Sequence, residues 1–226
     1  MGLSLVGIDC DLGEASVQIA SDSYSIGELA TRRLIDDGCS RILCLRNNSR
    51  MRMPANKRTD AYYDVVEQAG LPALVREVEF VKSDDEKSAV VAKILDENPD
   101  IDGIFAGDDT MAAICLNVMK QRGLSAPDDI KVVGADGARR TMTFMPDLTT
   151  VRQDIDRIGE LAAQSIIALV NGEKPESNIK LPVELIEAKP PSSFRAKRIP
   201  RTPLMTVHRH MSTVCRRLEL RKDVLM

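Results

Sequence analysis

A doubly wound α/β fold on a mostly parallel sheet is predicted by three observations. Short apolar runs alternate with amphipathic segments of helical period up to residue 188. The connections are short, and Gly or Pro marks most helix ends. The 226 residues are 43% hydrophobic and 29% charged, an ordinary globular composition for a chain long enough to bury one large core or two small ones.

Each element follows from its own residues. Residues 3–8 are a continuous apolar run, the mark of a strand buried on both faces. Residues 25–37 set Ile26, Leu29, Ala30 and Leu34 at helical spacing, and Gly38 supplies the stop. A strand is expected over 41–45 and a helix over 59–69, closed by Gly70 and Pro72. Residues 75–81 alternate as a strand. Asp84, Asp85 and Glu86 suit the positive end of a helix dipole, and that helix runs to Glu97 with Val90, Val91, Ile94 and Leu95 inward. Residues 103–106 form a buried strand, and 109–122 form a helix ended by Gly123. A strand over 130–133 and a helix over 154–170, stopped by Asn171 and Gly172, come next. Residues 179–187 are expected to close the regular part as one strand.

Composition excludes several classes. No apolar run approaches the roughly 20 residues of a membrane span, and residues 1–9 lack the basic start of a signal peptide. The five cysteines (10, 39, 44, 115 and 215) include no CxxC pair, which argues for a reducing compartment and against disulfides or zinc. The chain reads as cytoplasmic. With no Trp, four Phe and three Tyr, a base-stacking surface is not expected. Walker A, GxGxxG, GxSxG and Cys–His arrangements are all missing, so neither a cofactor nor a catalytic set is expected. Both histidines, His208 and His210, lie in the tail and are read as solvated rather than as metal ligands. Residues 195–226 carry nine basic and two acidic side chains, a sum of +7, whereas the first 194 carry 22 basic and 32 acidic, or −10. The shift near Pro190 and Pro191 marks a boundary.

Doubly wound sheets bind ligands beyond the carboxyl ends of their strands. Asp9 and Asp11 follow the first strand, Arg58 ends the loop 46–58 after the second, Asp108 and Asp109 follow 103–106, and Asp136 follows 130–133. Carboxylates with one guanidinium suit a polyol, whose hydroxyls both donate and accept. Each residue also has a plainer reading. Asp109 can cap its helix, Asp136 between Gly134 and Gly137 can make a turn, and Arg58 can pair with Asp60 or Asp64 at the surface.

These residues also carry a family resemblance. The stretch IFAGDDTMAA, residues 104–113, resembles the FAxNDxMAxG segment of lactose-repressor (LacI/GalR) family regulators. DIKVVGAD, residues 129–136, is similar to their DISVVGFDD. PDLTTVRQD, residues 146–154, followed by Gly159, resembles PPLTTVRQPxxxxG. RTDAY, residues 58–62, matches RxxGY, and Ile8-Asp9 with Ser21-Asp22 falls where IDR and SDN stand. The order and spacing of all five agree.

The resemblance implies a periplasmic-binding-protein-like type I effector domain, one lobe complete and the other partial. Residues 1–21 and the helix segment 151–180 belong to the amino-terminal lobe, and 22–150 with 181–190 belong to the carboxyl-terminal lobe. Residues 191–226, which match nothing in the family, are expected from their composition to be a basic, disordered tail. It further implies that Asp9, Arg58, Asp108 and Asp136 line a sugar or small-metabolite cleft, with Gln153 near the crossing between lobes. Asp108 replaces the usual Asn or Ser, Gly137 the second Asp and Ala61 the usual Gly, which points away from a plain hexose. Family members open with a helix-turn-helix that contacts operator DNA, and no such motif is expected within this chain. A homodimer is implied, partly through helix 109–122. There Met111, Ala112, Ile114, Cys115, Leu116, Val118 and Met119 are expected to leave apolar groups at the surface. A sugar-binding receptor of a transport system shares the fold, and a sugar-phosphate isomerase on a doubly wound sheet would need a phosphate nest or a catalytic His/Glu pair.

Overall fold

The computed structural model describes residues 5–10, 12–13, 16–48, 56–79 and 81–188. The chain opens with β1 (Leu5–Ile8) and β2 (Ser16–Ser21), then α1 (Ser23–Asp36), β3 (Ile42–Asn48) and α2 (Asn56–Gln68). β4 (Leu74–Glu79), α3 (Asp84–Glu97), β5 (Gly103–Ala106), α4 (Asp109–Gln121) and β6 (Lys131–Asp136) continue the alternation. α5 (Arg139–Phe144), β7 (Thr149–Gln153), α6 (Ile155–Val170), β8 (Asn178–Leu181) and β9 (Val183–Ile186) complete it.

Two sheets result. The larger runs in the order β4-β3-β5-β6-β7-β9, parallel except for β9, and the smaller is a parallel β1-β2-β8. Alternation of side chains across the large sheet splits its core in two. On one face Leu43, Leu45, Ile104 and Val132 pack with Val91, Ile94 and Leu95 of α3 and Met111, Cys115 and Met119 of α4. On the other, Ile42, Cys44, Phe105 and Val133 meet Ile26, Ala30 and Leu34 of α1 and Tyr62 and Val66 of α2. The small sheet holds a lesser core, where Val17 and Ile19 of β2 pack on Ile158 and Ala162 of α6.

Local chemistry sets the helix ends. Asp22 accepts from the Ser25 N–H at 3.3 Å, Asp108 from Met111 at 2.7 Å and Asp154 from Arg157 at 3.0 Å. Ser83 and Glu86 close a reciprocal capping box on α3. The chain passes between the sheets at Asp22, Asp154 and Pro182. Two of these crossings are stitched together, because the Asp22 N–H donates to Leu181 O at 2.8 Å and Lys180 Nζ reaches the Asp22 carboxylate at 2.8 Å.

The structure corrects several expectations. Residues 179–187 are two strands in different sheets, since Pro182 has no N–H to continue a ladder: β8 pairs with β2 and β9 runs antiparallel to β7. β2, α5 and β7 were not anticipated from the sequence. The α4 side chains expected at the surface are interior. Met111, Cys115, Val118 and Met119 are at most 2% exposed, because the sheet takes one side of the helix and α3 another, while Leu116 is half-buried. Met119→Lys would therefore bury an ammonium in the core. Asp11 and the tail 191–226, with its basic cluster, lie outside the described residues.

Candidate functional site

β3, β5, β6 and β7 are parallel neighbours, so their carboxyl ends share one edge of the large sheet. Arg58 lies in the first turn of α2 rather than in the preceding loop. Two features hold it there. Gly27 of α1 lets α2 approach so closely that a Cβ on residue 27 would sit 2.0 Å from the Arg58 carbonyl oxygen. One turn further, the buried Tyr62 hydroxyl donates to Ile42 O at 2.7 Å and accepts from the Leu74 N–H at 2.8 Å.

From that anchor the guanidinium crosses to the strand ends. Arg58 Nη1 donates to Gly107 O at 2.5 Å, and Nη1 and Nη2 both lie 3.3 Å from Asp136 Oδ1. Gln153, closing β7, donates through Nε2 to the same oxygen at 2.6 Å. All these donors converge on Oδ1, which leaves Oδ2 of a one-third-exposed carboxylate outside the set. Asp108 caps α4 through Oδ1, and its Oδ2 accepts from Asn47 Nδ2 at the end of β3. Among the described residues, three buried polar atoms here have no hydrogen-bond partner: Arg58 Nε, Asn47 Oδ1 and Gln153 Oε1. Such atoms are costly to leave unpaired and are unusual in a settled interior.

The backbone is strained at the centre of this group. Asp136 has φ 106°, a region L side chains seldom adopt, and Gly137 follows at φ 59°. Burial pushes the Asp136 carboxyl up to about 6; Arg58 opposes that shift, while Asp108 and Asp109 add to it.

Arg58, Asp108, Asp136 and Gln153 are thus brought together. Asp9 is held elsewhere: at φ 48° it ends β1, its N–H donates to Ile19 O at 3.0 Å and its carboxylate accepts from the Ser21 N–H at 3.2 Å. Its hydrogen bonds among the described residues stay within the small sheet. The plainer readings resolve as well. Arg58 turns to Asp136 rather than to Asp60 or Asp64, whose carboxylate takes the Tyr24 hydroxyl at 2.8 Å. The cap of α4 is Asp108, and Asp109 is buried. Sequence reasoning missed Asn47, although the strand-end rule that found Asp108 and Asp136 applied to β3 equally. Chemically, the edge offers one guanidinium, two carboxylates and two amide oxygens, a set suited to a polyhydroxylated ligand.

The comparisons with known proteins agree with this architecture. A family model described as periplasmic binding protein-like domain matches residues 31–188. The ribose operon repressor of Halalkalibacterium halodurans is 30% identical over 188 residues, covering 82% of this chain and 56% of the repressor. The sucrose operon repressor of Lactococcus lactis is 30% identical over 181 residues, covering 80% and 55% respectively. A solved complex of the transcriptional regulator CelR with cellobiose superposes with a TM-score of 0.71 at 27% identity, over 81% of this chain and 58% of that one. The chain spans about half the length of the curated relatives it matches. With its alternating fold, its large parallel sheet and this match over most of its length, the chain belongs to the periplasmic-binding-protein-like family, in the form found in LacI-type regulators.

Proposed function

We propose that the chain is the effector-sensing part of a LacI-type transcriptional regulator and that its effector is a sugar or sugar derivative. The convergence of Arg58, Asp136 and Gln153 at one sheet edge, beside Asp108 and Asn47, carries the reading. An effector hydroxyl meets the Asp136 carboxylate on the side away from Arg58 and Gln153, and the guanidinium is already oriented by Gly107 O. Binding there favours one arrangement of the two sheets about the crossings at Asp22, Asp154 and Pro182, and that preference passes to DNA-binding heads. The regulator works in the cytoplasm as a homodimer, and operator contact comes from a helix-turn-helix. It is a binding protein rather than an enzyme, because this carboxylate–guanidinium set contains no paired nucleophile and base. The relatives' naming as operon repressors favours a regulator over a transport receptor.

Calorimetric titration of the chain with D-ribose, sucrose and cellobiose tests the proposal. At least one sugar is expected to bind, and Arg58→Ala should weaken it by about 1–3 kcal/mol, the usual loss for a charged hydrogen-bond partner. A sugar whose affinity ignores Arg58→Ala, or no binding from the whole panel, would overturn it.

A further inference from the structure

Asp109 is a buried carboxylate with no part in the proposed effector contacts. It is 3% exposed at the first position of α4, and its side chain points inward across β6. Oδ1 accepts from the Thr150 hydroxyl of β7 at 2.6 Å, and Oδ2 accepts from the Gly137 N–H at 2.8 Å. Room for it exists only because residue 134 is glycine: a Cβ there would stand 2.4 Å from Asp109 Oδ1. Three elements are therefore tied at one carboxylate, α4, β7 and the turn after β6. That turn is the strained one, where Asp136 at φ 106° presents its side chain to Arg58 and Gln153. Backbone of this kind persists only where neighbours over-determine it, and the bond to Gly137 N–H acts on the peptide directly after the strained residue.

We infer that Asp109 is a positioning residue, which fixes the Asp136–Gly137 turn so that the Asp136 carboxylate meets Arg58 and Gln153. Its burial fits the role, since a carboxylate shielded from water and accepting two donors is rigid. Its importance for effector binding rests on the proposed reading of this edge. The test reads the turn itself, without any sugar, so the two ideas fail separately.

Asp109→Asn keeps an oxygen for the Gly137 N–H, and its amide can donate to Thr150, whose hydroxyl then accepts. Asp109→Ala removes both partners, and Gly134→Ala pushes the carboxylate aside while leaving it in the chain. Amide exchange followed by NMR in the whole chain compares Gly137 with Phe105, in the middle of β5. In Asp109→Ala the Gly137 amide is expected to lose protection at least tenfold more than Phe105, and Asp109→Asn is expected to retain it. Should Asp109→Ala not fold, Gly134→Ala is expected to show the same selective loss. Carbon NMR of the Asp136 carboxyl gives a second readout in Gly134→Ala, which keeps the Asp109 charge: there the midpoint should drop toward the ordinary carboxylate range as the turn loosens. Gly137 protection falling only in step with Phe105, or an unmoved Asp136 midpoint, would overturn the inference.

Discussion

Burial pushes the Asp136 carboxyl up to about 6 even with Arg58 alongside. The attraction of the guanidinium is already inside that balance, so the fold as a whole disfavours the ionised form. The folded state therefore holds this proton more tightly than the unfolded chain does. Stability from Asp136 is fully present below the ordinary aspartate value, and it is lost as pH rises through about 6. Asp136→Asn mimics the protonated group and keeps an acceptor for Gln153. It should raise the melting temperature at pH 7 by roughly 2–4 °C, the shift expected for about 1 kcal/mol in a chain of this size. Near pH 4 it should change nothing. Affinity for any bound sugar should fall about tenfold, the worth of one charge-assisted hydrogen bond. Melting curves at the two pH values, with calorimetry at pH 7, check all three outcomes. A melting temperature lowered at pH 7 would show that Arg58 needs that charge more than the fold resists it. Residues of this kind, strained and partly desolvated, are where stability is commonly given up for function.

Among elements, α2 delivers Arg58, and α1 decides where α2 lies. Gly27→Ala should force α2 away from α1, because the new methyl would meet the Arg58 backbone and not a flexible side-chain end. The expected cost is about 1–3 kcal/mol of overpacking, with weakened sugar binding as Arg58 moves. Gly159→Ala on α6 is the control, since nothing among the described residues lies within 4 Å of a Cβ at that position. It should be neutral or stabilise by about 0.5–1 kcal/mol through helix propensity. Thermal melts and sugar titrations of the two variants side by side decide the matter; equal behaviour would remove the packing argument. Elements were legible in the sequence where their signals are local. Asp84–Glu97 and Gly103–Ala106 sit at their expected bounds because an acidic first turn and a wholly apolar run mark them. β7, reading TTVRQ, looks polar, and only its place between β6 and β9 makes it a strand. Arg58, Asp108 and Asp136 could be found from strand ends alone. Adjacent carboxylates 108 and 109 could not be told apart, since which one caps and which turns inward depends on a backbone the sequence does not specify. Gly27 and Gly134 gave no signal at all: each matters for what a neighbour distant in sequence places beside it.

At the scale of the molecule the two sheets differ in what holds them. The large sheet is covered on both faces by helices and buries a core on each. The small one relies on Val17, Ile19, Ile158 and Ala162, with half-buried Val6, Leu161, Leu169, Ile179 and Leu181 around them. α6 covers it with one face and leaves Ile166, Ile167 and Val170 51%, 61% and 78% exposed. On the usual scaling of stability with buried apolar area, the small sheet should open at lower free energy than the large one. Amides of β2 and β8 should accordingly exchange faster than those of β3, β5 and β6, as read by hydrogen exchange with mass spectrometry. Ile158→Ala makes the prediction sharper. It removes the central α6 side chain of the small core at about 2–5 kcal/mol, which should abolish protection in β2 and β8. Protection in β5 should stay, because Phe105 and Ile104 pack with α1, α2, α3 and α4 and not with α6. If both sheets instead lost protection together in the variant, they would be one cooperative unit, and the small core would be stabilised through the crossings at Asp22, Asp154 and Pro182 rather than by its own packing.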